Sequence, residues 1–136
     1  MTIKTANVSM AEKVALIDQL CAQARILPVI TIARQQDILP LADALAAGGL
    51  TALEVTLRSQ FGLEAIRVLR EQRPELVTGA GTVLDRHMLA AAEEAGSQFI
   101  VTPGITRDLL EASVASDIPL LPGISNASGI MEGYGL

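Results

Sequence analysis

The sequence predicts an α/β fold on a parallel sheet, with an N-terminal helix followed by about five strand–helix units. Three observations carry this. Short apolar runs opening at Ile26, Thr51, Leu76, Gln98 and Ile118 alternate with stretches of helical period. Their starts lie roughly 20–25 residues apart, the length of one strand–helix unit. The runs are apolar at nearly every position, so they need cover on both faces, as strands of a parallel sheet do.

Each element follows from local chemistry. Ser9 and Glu12 have the spacing of a capping box, and Val14, Ile17, Leu20, Cys21 and Ala24 then recur at helical period. The chain therefore opens with an amphipathic helix of about 16 residues. Ile26 to Ile32 reads as a buried strand, and Ile38, Leu41, Ala42, Leu45 and Ala46 mark the next helix, which Gly48 and Gly49 end with a left-handed cap. Thr51 to Leu57 is the second strand. Leu63, Ile66 and Leu69 define a helix with Pro74 just past its end. Leu76 to Ala80 is the third strand, and Asp85 caps a helix that runs through Ala95 to Gly96. Gln98 to Val101 and Ile118 to Leu121 are the last two strands. Thr106 caps the helix between them, and Ser125 caps a final one.

Two local echoes suggest repetition: Ala47-Gly48 with Ala95-Gly96, and Thr102-Pro103-Gly104-Ile105-Thr106 with Leu121-Pro122-Gly123-Ile124-Ser125. Such a run of units closes either as an open doubly wound sheet or as a (β/α)8 (TIM) barrel, which needs about 200 residues or more. With 136 residues in one domain, the chain as a barrel is an incomplete one.

Half the residues are apolar and 2% are aromatic, so the core must be built from Leu, Ile, Val and Ala. A formal charge of −5 with no Lys/Arg-rich run argues against nucleic-acid binding, which needs a dense cationic footprint. No apolar run is long enough to span a bilayer, and Met1 to Met10 lacks the charged-then-apolar form of a signal peptide. A cytoplasmic protein with no membrane partner is expected. Cys21 cannot form an internal disulfide and is expected to be a buried, inert thiol. His87, the only histidine, falls in a first helical turn and is expected at the surface. No His/Cys set has metal-ligand spacing.

The most informative stretch is Ala52-Leu53-Glu54-Val55-Thr56-Leu57-Arg58. Strand side chains alternate between faces, so Glu54, Thr56 and Arg58 share one face and Leu53, Val55 and Leu57 the other. An acid, a hydroxyl and a guanidinium on one face of an apolar strand are either a structural ion pair in a barrel interior or a site. In a site, Glu54 moves protons and Arg58, near the C-terminal end of the strand, clamps a carboxylate. Gly79-Ala80-Gly81-Thr82 allows close approach to backbone, although it also serves as a tight turn. Leu84 stands where a dinucleotide fingerprint wants a third glycine. Thr102-Pro103-Gly104 and Leu121-Pro122-Gly123 precede helix N-termini, whose free amides can hold an oxyanion, or they are simply turns. The two lysines, Lys4 and Lys13, sit at no strand end and are expected to be solvated.

Five motifs occur in register: Leu27-Pro28-Val29-Ile30, Leu53-Glu54-Val55-Thr56-Leu57-Arg58, Gly79-Ala80-Gly81-Thr82-Val83-Leu84, Thr102-Pro103-Gly104 and Leu121-Pro122-Gly123-Ile124-Ser125. Together they make the chain resemble the N-terminal part of the 2-keto-3-deoxy-6-phosphogluconate aldolases, which also act on 4-hydroxy-2-oxoglutarate. The resemblance covers essentially the whole chain. It implies a homotrimeric (β/α)8 barrel of the Entner–Doudoroff pathway. That enzyme cleaves the keto-acid phosphate to pyruvate and glyceraldehyde 3-phosphate through a lysine Schiff base, with no cofactor.

By that resemblance Glu54 is the general acid/base. Arg58 and Thr82 hold the pyruvate carboxylate and neighbouring oxygens, and Val29 and Pro103 line the pocket. The family's lysine falls on a sixth strand, a few residues beyond Leu136, and its phosphate-binding residues fall further on. The chain is therefore expected to be a fragment without aldolase turnover of its own. The alternatives are a phosphosugar barrel enzyme that forms no imine, or a silent half-barrel that assembles only with other chains.

Overall fold

The capping box forms. Ser9 Oγ accepts from the Glu12 amide and the Glu12 carboxylate accepts from the Ser9 amide, starting helix α1 (Met10–Ala24). The computed structural model describes residues 7–135; Lys4 lies outside them. The other strands and α-helices are β1 (Val29–Ile30), α2 (Ile38–Ala47), β2 (Ala52–Thr56), α3 (Gly62–Gln72), β3 (Val77–Gly81), α4 (Arg86–Glu94), β4 (Ile100–Thr102), α5 (Arg107–Ala115), β5 (Leu120–Pro122) and α6 (Ala127–Tyr134), with a 3-10 turn (Gln35–Asp37) leading into α2.

The caps follow the sequence with one exception. Asp85 and Thr106 accept from the Met88 and Leu109 amides as expected, but α6 is capped by Asn126, not Ser125. The left-handed residues closing α2 and α4 are Gly49 (φ 90°) and Gly96 (φ 92°). Behind them Leu50 donates to the Leu45 carbonyl and Ser97 to the Ala92 carbonyl, the 6→1 bond of a Schellman motif. The structural repeat thus matches Gly48-Gly49, not Ala47-Gly48, with Ala95-Gly96. β1 is shorter than its apolar run, because only Val29 and Ile30 pair with β2.

All neighbouring strands are parallel, and their order is β1-β2-β3-β4-β5. A doubly wound sheet reverses direction at a switch point. Here each strand is added on the same side of the last, as in a barrel wall. The two faces carry different cores. On one, Leu53, Val55, Ala80 and Ile100 pack with Ile66, Leu69 and Leu109 from the helices. Full burial of each large aliphatic side chain there is worth about 1.5–3 kcal/mol. On the other face, Ala52 and Phe99 meet Leu20 of α1, with Ile17, Leu27, Val77 and Val101 around them. Helix α1 therefore floors the inner face at the N-terminal ends of the strands.

Two expectations for α1 are corrected. Cys21 is exposed, and Lys13 is buried, at 5% exposure. The stripe that faces the protein is Lys13, Ile17, Leu20 and Ala24, turned slightly from the apolar set seen in the sequence. Lys13 Nζ donates to the Ser113 and Val114 carbonyls at 3.0 and 3.2 Å, capping the C-terminus of α5. Burial lowers its pKa, while Asp117 and Glu93 oppose that shift. Lys13→Ala leaves both carbonyls without this donor. It should lower stability by about 1–3 kcal/mol, read from the urea midpoint of the full chain.

Candidate functional site

Glu54 lies on the inner face, paired across β1 with Val29 and across β3 with Gly79. It is 7% exposed, and no hydrogen bond or ion pair holds its carboxyl among the described residues. Burial raises its pKa above the usual carboxylate value, and the nearby Arg58 guanidinium partly offsets this. The carboxyl leans toward the C-terminal end of the strands and rests on Gly81, two residues beyond its pairing partner.

β2 ends at Thr56, so Arg58 stands in the turn that follows, exposed and without an ion-pair partner among the described residues. The structural ion pair left open by the sequence is not formed. Thr56, expected beside them, is spent within the sheet. Its hydroxyl donates to the Ile30 carbonyl at 3.0 Å and lies 2.6 Å from the Thr31 hydroxyl.

Thr82 follows β3 directly and has φ 59°, a left-handed conformation that β-branched residues adopt only under strain. It is half-buried, one residue beyond the glycine under the Glu54 carboxyl. Pro103 is exposed just past β4, and Val29 is 58% exposed on the strand beside Glu54. Arg58, Thr82 and Pro103 thus follow the C-terminal ends of β2, β3 and β4, toward which the Glu54 carboxyl leans, the end where parallel barrels place their chemistry.

The two Pro-Gly motifs are not structurally equivalent. Thr102 pairs with Pro122, one residue out of step with the sequence echo. Gly123 is packed so closely on β4 that a Cβ there would lie 2.7 Å from the Thr102 carbonyl oxygen, whereas Gly104 faces open space. Gly123 serves close packing between strand ends.

The sequence reading missed Phe99. Its ring fills the space over Gly79, beside Glu54, and closes the inner face below the carboxyl. Only the glycine at 79 hinted that a bulky group approaches there. Among the described residues no group of three His, Cys, Asp or Glu side chains is placed to hold a metal ion. No described helix is long and apolar enough to cross a membrane.

Residues 17–136 match the family model "Aldolase: KDPG and KHG aldolase". The chain is 62% identical to 2-dehydro-3-deoxy-phosphogluconate aldolase of Pseudomonas aeruginosa over 126 residues, 93% of this chain and 57% of that protein. The structure superposes with a TM-score of 0.82 on 2-keto-3-deoxy-6-phosphogluconate aldolase of Zymomonas mobilis with 3-phosphoglycerate. That match is 48% identical and covers 88% of this chain and 56% of that one. The KDPG aldolase of Legionella pneumophila, with pyruvate captured at low pH as a covalent carbinolamine intermediate, gives the same TM-score at 43% identity. It covers 85% of this chain and 56% of that one. The chain spans little more than half the length of the relatives it matches. On the family model, these identities and the shared parallel architecture, the chain belongs to the KDPG and KHG aldolase family.

Proposed function

We propose that residues 1–136 form part of a (β/α)8 barrel and supply the acid/base and keto-acid-binding side of a class I aldolase site. The substrate class is a 2-keto-3-deoxy acid phosphate, cleaved to pyruvate and glyceraldehyde 3-phosphate. The observation that supports this reading best is the Glu54 carboxyl: buried, without a hydrogen-bond partner among the described residues, raised in pKa and aimed at the open strand ends. A group tuned toward neutrality suits proton transfer.

In this reading a lysine amine adds to the substrate ketone to give a carbinolamine, and loss of water gives an imine. The imine takes up the electron pair when the carbon–carbon bond breaks and leaves an enamine of pyruvate. Glu54 relays the protons that these steps release and take up. Arg58, exposed and unpaired among the described residues, meets the carboxylate with two parallel hydrogen bonds. The Thr82 hydroxyl binds beside it, and Val29 and Pro103 form the walls. A homotrimer in the cytoplasm belongs to the same proposal and rests on the resemblance.

The imine-forming lysine belongs to a sixth strand outside this sequence. Lys13 does not take its place, because its ammonium is engaged on the α5 carbonyls. The test is borohydride reduction of the 136-residue chain with pyruvate, read by mass spectrometry with peptide mapping. The chain should stay unmodified, while a polypeptide of the relatives' full length carrying these residues should gain one reduced pyruvate adduct. An adduct on Lys13 would overturn the assignment of the nucleophile.

A further inference from the structure

The inner face of β3 carries no side chain at Gly79 or Gly81, and the two vacated spaces have different occupants. A Cβ at Gly79 would collide with the Phe99 ring. A Cβ at Gly81 would collide with Glu54 Oε1 and would lie 2.7 and 2.8 Å from Cδ and Cγ of that carboxyl. Carbon atoms in ordinary contact stand about 3.5–4.0 Å apart.

Sideways onto its own pairing partner, Gly79, the Glu54 side chain finds Phe99 already seated. Phe99 is 1% exposed and fixed by Leu20 and Ala52, so it cannot yield. The carboxyl is therefore turned along the strand onto Gly81, toward Thr82 and the open end.

We propose that Gly81 is a positioning residue: its missing side chain is the seat that holds the Glu54 carboxyl at the strand ends, with Phe99 on Gly79 blocking the other place it could lie. The role rests on the reading of Glu54 as the proton-transferring group, while the seat itself is a matter of packing. β1 and β3 set Val29 and Gly79 opposite Glu54, with Gly81 under its carboxyl, and among the described residues Arg58 is the charged group that acts on it. A Gly81→Ala methyl expels the carboxyl toward solvent and Arg58, and both changes favour the ionised form.

The experiment is a ¹³C NMR titration of the Glu54 side-chain carboxyl in the full chain, with and without Gly81→Ala. The midpoint, raised in the unsubstituted chain, should fall toward the ordinary carboxylate range in the variant. The resonances of the helix-side core should stay in place. An unchanged midpoint in a folded Gly81→Ala chain overturns the proposal. If Gly81→Ala does not fold, the pair Gly81→Ala with Glu54→Asp decides. The shorter acid relieves the collision and should recover the folded spectrum, and failure to recover it also overturns the seat. Failure of the catalytic reading would show separately, as unimpaired turnover of Glu54→Gln in a polypeptide of the relatives' full length, with these titrations unaltered.

Discussion

Glu54→Gln, in a polypeptide of the relatives' full length, should lower kcat for keto-acid cleavage by about 10²–10⁴-fold, the usual contribution of a positioned acid/base. KM should change little. Gln keeps the size of Glu and still fits on Gly81 but cannot exchange a proton. Steady-state kinetics across pH is the measurement. The limb of the profile that follows the Glu54 carboxyl should vanish with the substitution, and unchanged kcat would return Glu54 to a structural role.

The same substitution should stabilise the fold. Because the folded pKa of Glu54 is raised, the native state holds the proton to a higher pH than the unfolded chain does. The stability contributed by this group is full below the unfolded value and falls as pH rises through the folded one. At neutral pH the ionised carboxylate is therefore a cost, and Gln removes it. A gain on the order of 1 kcal/mol is expected at pH 7. It should shrink as pH drops below the ordinary carboxylate range, where Glu54 is neutral as well. Chemical denaturation of both chains at the two pH values reads this directly.

Arg58→Ala should weaken keto-acid binding by about 10–100-fold, since hydrogen bonds to charged groups contribute roughly 1.5–3 kcal/mol. The loss should fall mainly on KM in the full-length polypeptide. Arg58 is exposed and makes no ion pair among the described residues, so its removal should leave the unfolding midpoint almost unchanged. Arg58→Lys should recover only part of the affinity, because an ammonium lacks the planar fork. Undiminished affinity in Arg58→Ala would remove it from the site. A parallel loss of stability would assign it to the fold instead.

Local features were legible because they depend on neighbours a few residues away. The Ser9–Glu12 box, the Asp85 and Thr106 caps and the two left-handed glycines at 49 and 96 were all evident from short-range patterns. So was the alternation that sets Glu54 apart from Leu53 and Val55, since strand period is a property of the backbone. The same reasoning failed for α1. Val14 and Cys21 lie together on one flank of the Ile17, Leu20 and Ala24 stripe, about 80–100° around the helix from Lys13, and rotation of the helix toward Lys13 exposes both. Packing against α5 decided for Lys13, because the carbonyls at the end of that helix needed donors.

The sequence by itself determined the order of strands and helices, the helix ends other than the start of α6, and the face on which the acid sits. Tertiary structure alone decided that the strands lie side by side in chain order, which separates a barrel wall from a doubly wound sheet. It decided that Thr56 bonds to β1 while Arg58 finds no ion-pair partner among the described residues, and that Phe99 and Glu54 divide the two glycines of β3 between them. These outcomes turn on contacts between residues 20 to 27 positions apart. No local propensity encodes which distant side chain will fill the space a glycine leaves.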